Sequence, residues 1–198
     1  TKYIDSPGLN PTPNAEIDIT SLIDHLQGVD YDSATGYYWA VGTRKGFVSD
    51  NSNRTLICFD SNGDLIEEFV LSDYSFEAGM LQIYDGSIYI KPNNLSRLWE
   101  IDIITKTQVR EITTTGYASE GLAINKSNGN IWLFDETNGI IGIFDNNMNL
   151  LATSNYTSFG NEIEGAIIDP TNKTLYICAD TYLHGSNPNG NALCHYAI

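Results

Sequence analysis

The chain has 198 residues, enough for one domain with a substantial core and too few for two comfortable ones. Its formal net charge is -15, from 10 Lys and Arg against 25 Asp and Glu, which excludes the basic footprint of a nucleic-acid binder and an attraction to anionic lipid. No apolar run reaches the roughly 18 residues a membrane-spanning helix needs, so no membrane insertion is expected.

Neutral or cationic ligands, glycans and divalent metals remain as partner classes. Charged residues make up only 18 % of the chain, while Asn, Ser, Thr, Gly and Tyr are abundant. That surface suits an extracellular or virion-exposed binding protein. The cysteines, Cys58, Cys178 and Cys194, are too few and odd in number for a disulfide scaffold. They have no zinc-like spacing and read as small buried hydrophobes. The chain opens without an initiator Met or signal peptide, and is expected to be a processed product or an excised domain joined to other domains of a longer chain.

In chain order, residues 1–14 carry Pro7, Pro11 and Pro13 and read as an extended lead-in. Ala15 to Thr20 alternates apolar and polar residues and reads as a strand. A repeat then begins. Each copy opens on a polar residue or Ala followed by Gly: Gln27-Gly28, Ala78-Gly79, Glu120-Gly121 and Glu164-Gly165. The openings lie roughly 40–50 residues apart, the length of one propeller blade. A short apolar strand follows, then a turn rich in Asp, Asn and Gly, then an aromatic at a fixed offset: Trp39, Tyr89, Trp132 and Tyr176. A third strand ends in Asp in three copies, at Asp60, Asp102 and Asp145, and a fourth strand follows in those three.

The expected fold is therefore an all-β, single-domain β-propeller. Its four blades fall at about 23–72, 78–114, 119–154 and 163–198, with a fifth blade open if pieces are reassigned. The last copy is one strand short. Residues 15–20 are expected to supply that outer strand and close the ring. The recurrent aromatics are expected to pack between blades.

The run Gly28-Val29-Asp30-Tyr31-Asp32, the Trp39-Ala40-Val41 strand and the Glu-Gly openings at residues 120–121 and 164–165 resemble the SdiA-regulated, NHL-like and gluconolactonase-like propellers. Such a resemblance implies the fold strongly and the activity weakly. The gluconolactonase-like enzymes are six-bladed and hold a metal in a Glu/Asn/Asp set, and no complete set is found here. In architecture alone the chain is similar to the small propeller domains of phage receptor-binding proteins that dock cell-wall glycopolymers.

Blade geometry puts the loop before strand one and the loop after strand two on one face. Gln27, Glu77, Glu120 and Glu164, with Asp135 and Asp180, are expected around that channel mouth. There Glu120 and Glu164 are candidate ligands for Ca²⁺, the one cofactor considered beside none at all. The loops after strand two are long in the first and last copies. With the loops between blades they gather Arg44, Phe47, Tyr74, Tyr117, Tyr156, Tyr182 and His184 into an expected ligand cleft. Asp60-Ser61-Asn62-Gly63-Asp64 opens like a Ca²⁺ loop but has Ser72 at the twelfth position, and is expected to be a hairpin turn. No nucleophile elbow, P-loop or HExxH motif is present. The expected function is a non-catalytic module that binds a cell-surface glycan or glycopolymer. The alternatives are a metal-dependent hydrolase or lactonase at the channel mouth, and a protein–protein platform.

Overall fold

The computed structural model describes residues 2–3, 16–44, 54–71, 79–92, 95–117, 119, 121–135, 137–155, 162–180 and 191–197. These residues form strands and turns with no helix, in four antiparallel sheets of four strands each. The first sheet holds β2 (Ile23–Asp32), β3 (Tyr37–Arg44), β4 (Arg54–Phe59) and β5 (Leu65–Val70). The second holds β6 (Met80–Tyr84), β7 (Ser87–Lys91), β8 (Arg97–Asp102) and β9 (Gln108–Thr113). The third holds β10 (Leu122–Asn125), β11 (Asn130–Asp135), β12 (Ile140–Phe144) and β13 (Leu150–Asn155). The fourth holds β14 (Glu162–Asp169), β15 (Thr174–Asp180) and β16 (Asn191–Ala197), with β1 (Lys2–Tyr3) on its outer edge.

The turns explain the recurring Asp. In the first sheet the Asp60 carboxylate accepts the backbone N–H of Asn62 and of Asp64, at 2.8 and 3.0 Å. Asp145 does the same with Asn147 and Asn149, at 2.9 and 2.8 Å, and Asp102 with Ile104 and Thr105. An Asp side chain that mimics a backbone acceptor fixes a tight turn locally. The Asp60–Asp64 segment is thus the hairpin turn between β4 and β5.

The core lies between sheets. Trp39, Val41, Leu56 and Cys58 of the first sheet are buried against Leu81, Ile83, Ile88 and Ile90 of the second. Tyr89 and Leu98 of the second meet Leu122 and Ile124 of the third. Trp132 and Phe134 of the third meet Ile163, Ala166 and Ile168 of the fourth. The aromatics Trp39, Tyr89 and Trp132 therefore pack into the neighbouring sheet, whereas Tyr176 is half-buried. The first strand of each sheet lies beside that of the next, β2 by β6, β6 by β10 and β10 by β14.

Two expectations are corrected. Residues 16–20 contain no strand; Ala15 lies outside the described residues. The outer place in the fourth sheet belongs to β1, with Lys2 opposite His195 and Tyr3 opposite Cys194. The alternation in residues 15–20 has another cause. Ile17, Ile19 and Leu22 lie flat on the first sheet against Ile23, Ala40, Ile57 and Phe59. The second correction is one of register. Asp30 pairs with Trp39, Ala123 with Trp132, Ile167 with Tyr176, and in the second sheet Gln82 with Tyr89. Counting back two residues, Met80 stands where the others have Gly28, Gly121 and Gly165. Gly79 precedes the strand.

Candidate functional site

Of the residues expected at the channel mouth, Gln27 and Asp135 are described with their side chains. Gln27 is the extra residue of a β-bulge, because the pairing steps from Leu26 opposite Gly42 to Gly28 opposite Val41. Glu164 is the extra residue of a matching bulge, between Ile163 opposite Ala179 and Gly165 opposite Cys178. A bulge leaves its extra residue out of the ladder pairing, so the residue before Gly is unpaired in the ladder in the first and last copies alike. Asp135 ends β11, and its carboxylate takes the Asn138 backbone N–H at 3.1 Å and side-chain amide at 2.6 Å. Glu77 and Glu120 lie outside the described residues, as do the side chains of Glu164 and Asp180. The backbone of Asp180 ends β15 opposite Glu162. Among the described residues no group of three or more His, Cys, Asp or Glu is placed to hold a metal.

Of the residues expected in the loop cleft, Phe47, Tyr74, Tyr156, Tyr182 and His184 lie outside the described residues. Arg44 ends β3 opposite Ile23, and its side chain is not described. Tyr117 is described, and it packs down. Its ring meets Phe144 edge-to-face with centroids 5.3 Å apart, and it lies over Gly142, where a Cβ would come within 2.5 Å of it. Burial, then the nearby charge of Asp135, pushes its phenol pKa up.

Aromatic and polar groups converge instead on the opposite face, where the turns between first and second strands lie. A cleft of about 410 Å³ runs between the first turn of the first sheet and that of the second. Its walls are Tyr31, Asp32 and Ser33 on one side, and Ile83, Tyr84 and Asp85 on the other, with Lys126 of the third sheet beside them. Tyr31 is 45 % exposed, and its ring begins a series: Tyr31 to Tyr38 at 5.0 Å, then Tyr38 stacked on Phe59 at 5.5 Å. Tyr84 lies over Gly129 in the third sheet's first turn, where a Cβ would meet the ring at 2.9 Å. Asp32 is committed to its turn, accepting Ala34 N–H at 3.0 Å and the Thr35 hydroxyl at 2.7 Å.

The cationic wall is held in place. Lys126 donates to both oxygens of Asp30, at 2.9 and 2.7 Å, and Asp30 also accepts the Ile83 backbone N–H at 2.7 Å. One carboxylate on β2 thus positions residues of the second and third sheets. The sequence reading missed this site because its walls come from three copies of the repeat. The one local signal was a Tyr near the end of the first strand in the first two copies, Tyr31 and Tyr84.

No protein-family model matches the chain, and no curated protein matches it.

Proposed function

We propose that the four sheets radiate around a common axis as the blades of a small β-propeller, and that the chain is a non-catalytic module recognising a cell-surface glycan or glycopolymer. The radial reading is supported by the side-by-side run of first strands and by the three inter-sheet cores. The observation that carries the recognition reading is the cleft itself. Tyr31 and Tyr84 line it together with Ser33, Asp85 and Lys126, a set of aromatic and polar residues suited to the C–H surface and the hydroxyls of a sugar. Lys126 is already neutralised by Asp30, so a neutral sugar fits better than a strongly acidic one. Display on an extracellular or virion surface accords with the weakly charged, Asn- and Tyr-rich composition.

The test is a glycan and cell-wall-polymer array, followed by calorimetric titration of the best binder into the wild type and Tyr31→Ala. Binding that falls at least about tenfold in the variant, with an unchanged melt, supports the reading. A blank array, or a binder indifferent to Tyr31, removes it.

A further inference from the structure

A buried cation in this fold is ordinarily met by a carboxylate or by backbone carbonyls. Lys91 is fully buried, and its Nζ donates to the carbonyls of Leu95 and Pro92 at 2.6 and 3.2 Å. Lys106 has Glu67 at 3.1 Å, Arg110 has Glu100, and Lys126 has Asp30. Arg54 departs from this rule. It is 3 % exposed, and among the described residues its guanidinium finds one acceptor, the buried hydroxyl of Thr43, 2.8 Å from Nη1. Its Nε is buried with no partner. Among the described residues Gln82 Oε1 and Trp132 Nε1 share that condition, but both are neutral.

The place of Arg54 follows from register. Thr43 and Arg54 are partners on the last rung of the β3–β4 ladder, at the end of the sheet that carries the loop after the second strand. Residues two apart on a strand share a face. Arg54 therefore continues the row of Cys58 and Leu56, and Thr43 the row of Trp39 and Val41. Those rows make the core against the second sheet. Arg54 thus ends the apolar joint between the first two sheets, and the cleft of Tyr84 and Lys126 lies at the other end of the same two sheets.

Two properties define what such a group takes. A guanidinium does not lose its proton in a protein, so burial cannot neutralise it, and a buried charge without an opposite charge is strongly unfavourable. Its unused edge, Nε with Nη2, presents two parallel N–H groups, the fork that receives both oxygens of one carboxylate. Thr43 holds Nη1 and so fixes the plane of that fork.

We infer that the Nε–Nη2 edge of Arg54 is a binding site for a carboxylate, that of a small acid or of an acidic sugar. Charge selects a carboxylate over a phosphate dianion. One guanidinium balances one negative charge, and a second would face the surplus of a chain at -15. The site stands apart from the cleft and does not depend on the glycan reading.

The experiment is a set of thermal melts in a chloride-poor zwitterionic buffer, with sodium acetate, sodium glucuronate or sodium chloride added at matched ionic strength. The wild type is compared with Thr43→Val/Arg54→Met, which removes the charge together with its hydroxyl partner. Without added salt the variant should melt at least as high as the wild type, because it buries no uncompensated charge. Acetate or glucuronate should raise the wild-type melt by at least about 3 °C beyond chloride and leave the variant unmoved. Glucuronate acting at lower concentration than acetate assigns the site to an acidic sugar, and equal potency assigns it to a small acid. A variant that melts below the wild type without added salt overturns the inference, since the charge is then compensated within the chain. A chloride effect equal to that of the carboxylates, or a carboxylate shift that survives in the variant, overturns it as well. Arg54→Lys keeps the charge and loses the fork, which covers the case of a double variant that does not fold. Its carboxylate shift should fall to the chloride level, and a shift retained in full overturns the fork.

Discussion

Gly28 shows how little room a single position leaves. A Cβ added there would lie 2.6 Å from the backbone nitrogen of Leu81 and 3.0 Å from the Gly79 carbonyl oxygen. Both obstacles are backbone of the neighbouring sheet, so neither can swing aside. Gly28→Ala is expected to cost about 1–3 kcal/mol, the usual range for overpacking, read as a lower urea midpoint with unchanged slope. Lys106 acts across the same joint in the opposite sense, by filling it. Its ammonium lies 4.7 Å from the Trp39 ring centroid and 3.1 Å from Glu67, and also donates to the Ile103 carbonyl. Lys106→Ala should cost about 1–2 kcal/mol. A double-mutant cycle with Glu67→Gln should recover only a part of that, since the ring contact does not involve Glu67. The Gly positions and the aromatic offsets were legible in the sequence because each is fixed by one local requirement. Met80 was not, because only the pairing of Gln82 with Tyr89 shows that it occupies the glycine position.

At the scale of turns and strands, the repeated Asp ties folding to pH. Asp60, Asp102, Asp145 and Asp169 all have pKa values lowered from the ordinary 3.8, chiefly by backbone N–H groups, or at Asp145 the Asn149 side-chain amide, donating to the carboxylate. A lowered folded-state pKa means that the folded form favours the ionised carboxylate. The stability this adds is fully present above the unfolded value and is lost as pH falls through the folded one. The melting temperature should therefore hold steady from neutral pH down to about 5 and fall progressively below about 4. Asp145→Ala should lower the neutral-pH melt and flatten the acid limb. A wild-type melt unchanged to pH 2 would contradict the turn account. These turns were readable from sequence because an Asx turn is complete within five residues. The outer strand of the fourth sheet was not, since two paired residues, Lys2 and Tyr3, are too few to show a period. The alternation at Ile17 and Ile19 reports packing on a sheet face, which produces the same pattern as a ladder.

At the scale of the molecule, two forces compete at Asp30. The chain carries a net charge of -15, so removing any carboxylate relieves self-repulsion. Asp30 nevertheless joins three sheets, through its own strand, the Ile83 N–H and Lys126. Its side chain is 10 % exposed against 39 % for Lys126, so the backbone bond is sheltered and the ion pair is partly screened. Two substitutions separate these effects. Asp30→Asn keeps an oxygen for Ile83 and loses the charge opposite Lys126, and should cost less than about 1 kcal/mol. Asp30→Ala also leaves the Ile83 N–H without its acceptor, and should cost about 2–3 kcal/mol. Urea unfolding at low salt and at about 1 M NaCl completes the comparison, because salt removes the ion-pair part and spares the backbone part. An Asp30→Asn variant more stable than wild type at low salt would mean that net repulsion outweighs this pair. The cation beside the cleft would then be held by Asp30 at a cost in stability, which is the expected mark of a residue kept for the cleft rather than for the fold.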